Sequence, residues 1–289
     1  MMRLTAPMRR AAVLGAAVLC AAGGACANDL SATRTIEDNV AVAGERELVV
    51  IVDDVFGSIH VTAHDRDTVE LKAVETVRGK LQADLDRARA EIGLRTEHEP
   101  GRVAFRVRRL DDKDGANCCG NRWDGYSINY DIEIKVPRNA AVDLSTINNG
   151  DIDVAGVQGD FEVHNVNGAV RLTGLRGSGK VSTVNGRIDA AFERAPKVAT
   201  SFETVNGKVD VTFPRDLAAD LELNTLRGDM FTDFEVQPLA GAPVNDASRD
   251  GGRRLMSSKR GSLVRVAAGG PTYSFKTLNG EIYVRKAAR

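Results

Sequence analysis

The chain has 289 residues, 27% charged, 43% hydrophobic and only 5% aromatic, with 28 glycines that lack the three-residue period of collagen. Lys and Arg (39) nearly balance Asp and Glu (40), which argues against a nucleic-acid binder working by bulk attraction. No apolar run long enough to span a membrane occurs after the N-terminal segment.

Residues 1–27 carry Arg3, Arg9 and Arg10, an apolar stretch from Ala11 to Leu19, and a small-residue end at Ala25-Cys26-Ala27. A basic start, a short apolar middle and an A-x-A end spell a secretory signal peptide cleaved after Ala27; the alternative, a lipidated cysteine, fits less well, since Cys20 follows Leu19 and Cys26 lacks a branched residue upstream. The chain is therefore expected to be exported, to the periplasm or the cell surface. Residues 28–44 read as a polar lead-in. From Val50 to Val61 the apolar positions Val50, Val52, Val55, Ile59 and Val61 surround Gly57, which is a first copy of the repeat described below. His60 and His64 are four apart, a metal spacing on a helix, but on a strand end they point to different places.

Leu81, Leu85, Ala88 and Ile92 have helical spacing, so one short helix is expected near 81–92, lying against a sheet. The loop 110–126 holds the adjacent Cys118 and Cys119, the only cysteines left once the signal is removed. Neighbouring cysteines close only a strained ring, so a labile disulfide, an intermolecular bridge and two idle thiols remain as alternatives. Ser127–Pro137 alternates strictly and reads as a half-buried strand.

The main signal is a repeated phrase. Thr183-Val184-Asn185-Gly186, Thr204-Val205-Asn206-Gly207, Thr225-Leu226-Arg227-Gly228 and Thr277-Leu278-Asn279-Gly280 recur, with Asn165-Val166-Asn167-Gly168 as a variant. Successive glycines at 168, 186, 207 and 228 are 18, 21 and 21 residues apart. Around each glycine, positions −7, −5, −2, +2 and +4 are almost always apolar. Steps of two put side chains on one strand face, and the Asn-Gly pair turns the chain, as glycine and asparagine tolerate positive φ. The regular spacing predicts an all-β solenoid, a β-helix-like stack of 18–21-residue coils, in preference to an antiparallel meander. Stacking would align Asn167, Asn185, Asn206 and Asn279 in an amide ladder beside Gly168, Gly186, Gly207 and Gly280, with Arg227 as the exception.

Residues 237–261 interrupt the repeat and read as a mobile loop on the solenoid edge. The loop and its exit carry Arg249, Arg253, Arg254, Lys259, Arg260 and Arg265 against one acid, Asp250. That is a candidate patch for an anionic partner, whether polysaccharide, lipid surface or protein.

These features resemble the bacterial "putative adhesin" domain family, a domain of unknown function in exported β-solenoid envelope proteins. The resemblance rests on the Thr-Val-Asn-Gly phrase, the Val50–Val61 coil, Val136-Pro137-Arg138 leading into Ala141–Val154, and the closing Leu278-Asn279-Gly280-Glu281-Ile282-Tyr283-Val284. It spans about residues 45–289, with loops inserted near 110–126 and 237–261, and implies fold and location but no catalytic residues.

No nucleophile elbow, zinc helix, P-loop or dinucleotide fingerprint is present, and no cofactor is expected. The chemistry therefore points to a non-catalytic envelope protein that presents a binding or scaffolding surface. One alternative is a polysaccharide-active lyase or hydrolase using outer carboxylates such as Asp151 and Asp153, although Trp123 is the only tryptophan available as a sugar platform. Another is a regulatory partner in envelope stress with the basic loop as its handle. Self-association through exposed solenoid edges is a further expectation.

Overall fold

The computed structural model describes residues 12–14, 29–45, 47–110, 125–148, 150–239, 249–250, 253–256 and 261–288. Residues 1–11 and 15–28, the Cys118-Cys119 loop and Lys259-Arg260 lie outside the described residues.

One unit builds most of the molecule: a strand in one sheet, a corner at the Asn-Gly phrase, and a strand in a second sheet facing the first. Alternate side chains of both strands point between the sheets. The units are β3 (Val49–Asp53) with β4 (Ile59–His64), β9 (Ala141–Thr146) with β10 (Ile152–Ala155), and β11 (Phe161–Asn165) with β12 (Val170–Leu175). They continue with β13 (Gly179–Asn185) and β14 (Ile188–Phe192), β15 (Thr200–Asn206) and β16 (Val209–Phe213), and β17 (Ala219–Arg227) and β18 (Met230–Thr232). The last is β23 (Thr272–Asn279) with β24 (Ile282–Lys286). Neighbouring units pair parallel in both sheets. The Asn-Gly pair thus marks a solenoid corner and not a hairpin.

The remaining strands close the two ends. β1 (Ala12–Leu14), β2 (Leu30–Ala41), β5 (Thr68–Gly79) and β8 (Tyr126–Pro137) form successive antiparallel pairs. Helix α1 (Gln82–Glu91) packs Leu85 and Ala88 against this end. It is followed by the antiparallel pair β6 (Ile92–Glu99) and β7 (Arg102–Arg109). At the far end β19 (Val236–Pro238) and β17 both pair antiparallel with β22 (Ser262–Val266). There β20 (Arg249–Asp250) and β21 (Arg253–Met256) also extend antiparallel from β18. Antiparallel ends replace the open parallel edges that would otherwise template further strands.

Four expectations need correction. The lead-in 28–44 is for most of its length strand β2; it reads as polar because this strand lies near the sheet edge and, within it, only Val40 is fully buried. The segment 237–261 is not simply an edge loop, since β21 pairs with β18. Stack order also departs from chain order at both ends. β7 and β8 lie outside the β3–β4 coil, and the last coil, β23–β24, is inserted between β15–β16 and β17–β18. The fourth correction concerns the corner glycines. Gly57 (φ +139°) and Gly228 (φ +152°) do have positive φ, but Gly150, Gly168, Gly186, Gly207 and Gly280 do not. A Cβ on any of these last five would instead stand 1.9–2.1 Å from a backbone carbonyl oxygen of the adjacent coil.

Between the sheets, aromatic rings stack along the axis. Phe192 lies over Phe213 with centroids 5.1 Å apart, Phe213 over Tyr273 at 5.2 Å, and Phe202 over Phe275 at 5.4 Å. Tyr273 donates its hydroxyl proton to the Pro196 carbonyl at 2.6 Å, and burial pushes its pKa up to about 12.

Candidate binding surfaces

The corner is built by two ladders. Asn167 donates to Asn148 Oδ1 (3.0 Å), Asn185 to Asn167 (2.9 Å), Asn206 to Asn185 (2.8 Å) and Asn279 to Asn206 (2.7 Å). Arg227 takes the next rung, in register with Asn279. Inside this row the threonines of the repeated phrase hold the glycine carbonyls. Thr183 donates to Gly168 O, Thr204 to Gly186 O, Thr277 to Gly207 O and Thr225 to Gly280 O, at 2.9–3.1 Å. Asn165, where the phrase lacks its threonine, donates to Gly150 O at 3.0 Å. The threonine was visible in the phrase, but its partner lies one coil away. Outside the amide row, the −2 position of the template faces solvent: Val184, Val205, Leu278 and Leu226 are exposed, unlike Val55 in the opening coil.

The outer face of the sheet containing β4 and β10 has largely satisfied its own charges. Arg171 spans Asp153 (3.0 Å) and Asp151 (3.2 Å), and His60 Nδ1 lies 3.1 Å from Asp153. Arg187 pairs with Asp189 at 2.6 Å, and Asp210 is held by Lys208 (2.7 Å) and Arg285 (2.5 Å). Burial favours the neutral Asp210, but the bonds from Arg285 and Lys208 outweigh it and hold the carboxyl below the usual range. Asp151 and Asp153 do share a face, but Arg171 bridges them and occupies the oxygens a substrate would need. Tyr283 lies on the same face, stacked on Phe231 with Lys208 4.2 Å from its centroid.

The opposite outer face is different. A groove of about 810 Å³ crosses the stack there, lined among others by Asp143, Glu162, Lys180, Ser201, Glu222 and Ser274. These six are register neighbours on β9, β11, β13, β15, β17 and β23. Asp143 is partly buried, and desolvation with the adjacent Glu162 raises its pKa. Ser274 Oγ is buried with no hydrogen-bond partner among the described residues. Periodicity gives the row but not its concavity, which comes from sheet shape.

Arg249, Arg253 and Arg254 lie on β20 and β21, at the far end of the stack. Arg265, on β22, is bound bidentate by Asp220 at 2.8 and 2.9 Å, so the patch brings it to a partner of its own. Lys259, Arg260, Cys118 and Cys119 lie outside the described residues. His64 Nε2 lies 2.9 Å from Thr68 O, away from His60. Among the described residues no cluster of three or more His, Cys, Asp or Glu has metal-binding geometry, and no helix is long and apolar enough to cross a membrane.

Sequence reasoning missed a buried network at the helical end. Glu75 is fully buried and takes Arg34 (2.6 Å), Arg89 (2.8 Å) and the Tyr130 hydroxyl (2.9 Å). It alternates like an inward apolar residue on β5, which was the available signal.

No curated protein matches the chain. Among solved structures, a protein of Clostridium sporogenes described as a putative cell adhesion protein is 10% identical, with 88% of this chain and 100% of that one covered and a TM-score of 0.42. A putative adhesin of Bacteroides fragilis is 14% identical, with 88% and 97% covered and a TM-score of 0.39. The family model Toastrack DUF4097 matches residues 126–246, from β8 past β19, and stops before the inserted last coil. Over residues 126–246 the chain is similar to the Toastrack family, a domain of unknown function.

Proposed function

We propose that this is an exported, non-catalytic cell-envelope protein whose solenoid presents the grooved sheet face to an envelope partner. The observation that carries the reading is the contrast between the two faces. One has tied its charges into ion pairs along the stack; the other pairs Glu162 with His164 (2.9 Å) and Glu203 with Lys276 (3.8 Å), yet offers a groove lined by Asp143, Lys180 and the unsatisfied Ser274 hydroxyl. An elongated groove crossing rigid, hydrogen-bonded coils suits an extended polymer that needs polar contacts at a regular spacing. Its carboxylates favour a neutral or cationic chain, so an anionic polysaccharide or lipid surface would have to use the basic segment 249–260 instead. The leader-like residues 1–27 support export.

Location is tested by treating intact cells with protease beside a known periplasmic protein. Digestion with the control spared supports a surface adhesin, and protection of both supports a periplasmic scaffold or a partner in stress sensing. A cytoplasmic protein with its leader intact contradicts export.

A second reading has one observation in its favour. Asp143 has the raised pKa of a general acid and stands beside a second carboxylate, Glu162, in a groove. This pair displaces Asp151 and Asp153 as the candidate for glycan chemistry. Incubation with envelope glycans decides between the two: reducing ends that appear with the native protein and vanish with Asp143→Asn would establish the enzyme, whereas retention without turnover supports the binding role.

A further inference from the structure

We infer that the Asn-Gly corner is a self-complementary surface on which two copies of this chain pair antiparallel. Val166, Val184, Val205, Leu278 and Leu226 contribute one apolar side chain per coil, and the last four are 38%, 37%, 43% and 68% exposed. At about 4.8 Å per strand the ridge is about 19 Å long. Contiguous exposed apolar surface of this kind marks interaction sites.

The rows flanking the ridge identify the occupant. Just past each corner glycine, backbone hydrogen bonds stack Ala169, Arg187, Lys208, Glu281 and Asp229 in that order. The sign along the row therefore runs neutral, plus, plus, minus, minus. A two-fold axis across the stack, between the coils of Lys208 and Glu281, keeps each row facing its own copy while reversing its direction. Arg187, 2.6 Å from Asp189 of its own chain, then also faces Asp229 of the second copy, and Lys208, 2.7 Å from its own Asp210, faces Glu281. On the other flank Ser182, Glu203, Lys276 and Asn224 are stacked in the same coil order. The same axis brings Glu203, which lies 3.8 Å from Lys276 of its own chain, to Lys276 of the second copy as well, and Ser182 to Asn224. Within the ridge Val205 meets Leu278 and Val184 meets Leu226. One operation matches all three rows, and a chemically different partner has no reason to show this symmetry. The ridge is short compared with an interface of about 1,600 Å², so the pair is weak and depends on concentration. It uses the corner, leaving the groove of each copy open.

Sedimentation of the purified protein across micromolar to millimolar concentration tests this, with circular dichroism to verify folding of each variant. The expected result is reversible dimerisation that weakens with added salt and is lost in Leu226→Lys. Arg187→Asp and Asp229→Arg should each weaken it about tenfold or more, and the double exchange should restore it. A monomer at every concentration, association that survives Leu226→Lys, or a double exchange that fails to restore would each overturn the antiparallel corner dimer. None of these outcomes bears on binding by the groove.

Discussion

Gly207 lies so close to Gly186 that a Cβ on Gly207 would stand 1.9 Å from the Gly186 carbonyl oxygen. That carbonyl also accepts from Thr204 at 2.9 Å, so it has no room to withdraw. Gly207→Ala must separate two coils locally, and overpacking of this kind costs about 1–3 kcal/mol. Urea unfolding should show a lower midpoint with a near-constant slope. A midpoint equal to that of the native chain would mean that the corner is looser than described.

The amide ladder ends because Arg227 stands where the other coils carry asparagine. Arg227→Asn extends it by one rung beyond Asn279. A net hydrogen bond contributes about 0.5–1.5 kcal/mol, and the exposed corner places the gain at the low end. Thermal unfolding should show a small rise in Tm. A fall would indicate that Arg227 holds the end of the stack in a way the ladder does not capture.

Asp54 is fully buried. Its Oδ1 accepts from the amides of Val55 (2.7 Å) and Phe56 (3.2 Å), while Oδ2 has no partner among the described residues. Burial pushes its carboxyl well above the usual range. The unfolded chain releases this proton near pH 3.9 while the folded chain keeps it, so stability falls as pH rises above about 3.9. Asp54→Asn retains an acceptor for both amides without a titrating group. It should stabilise the protein by roughly 1–3 kcal/mol at neutral pH, with the gain shrinking toward pH 4. A loss at all pH values would contradict this.

Asp210 behaves in the opposite sense. Arg285 and Lys208 hold its carboxyl low, so its contribution is complete above about pH 3.9 and disappears as pH falls through the folded value. Asp210→Asn should destabilise at neutral pH, and the difference from the native chain should close in strong acid. Unfolding curves taken at stepped pH measure this directly, and a difference independent of pH would rule out the ion-pair origin.

Much of the fold was legible because its signals are local. Steps of two and a glycine corner define a two-strand coil, and equal spacing predicts that Asn167, Asn185, Asn206 and Asn279 share a corner. The helix near 81–92 was marked by Leu85 and Ala88, which are its buried residues. Stack order was not legible. The coil of Leu278 has the same apolar pattern as that of Leu226, so periodicity cannot say which of them packs against Val205. The −2 position read as one more core position, since periodicity does not say which way a corner residue turns. Glu75 was hidden because its burial depends on Arg34 and Arg89 from distant segments. Asp143 stood out only once desolvation and the neighbouring Glu162 were visible.

The central claim is that the grooved face binds an envelope component, and co-sedimentation with isolated bacterial cell envelopes tests it most directly. Ser201 lines the middle of the groove with its side chain on the outer face, so Ser201→Trp should fill the groove without touching the core. The account predicts that the native protein sediments with the envelopes and that Ser201→Trp, with an unchanged unfolding midpoint, stays in solution. Equal sedimentation of the two proteins would contradict it.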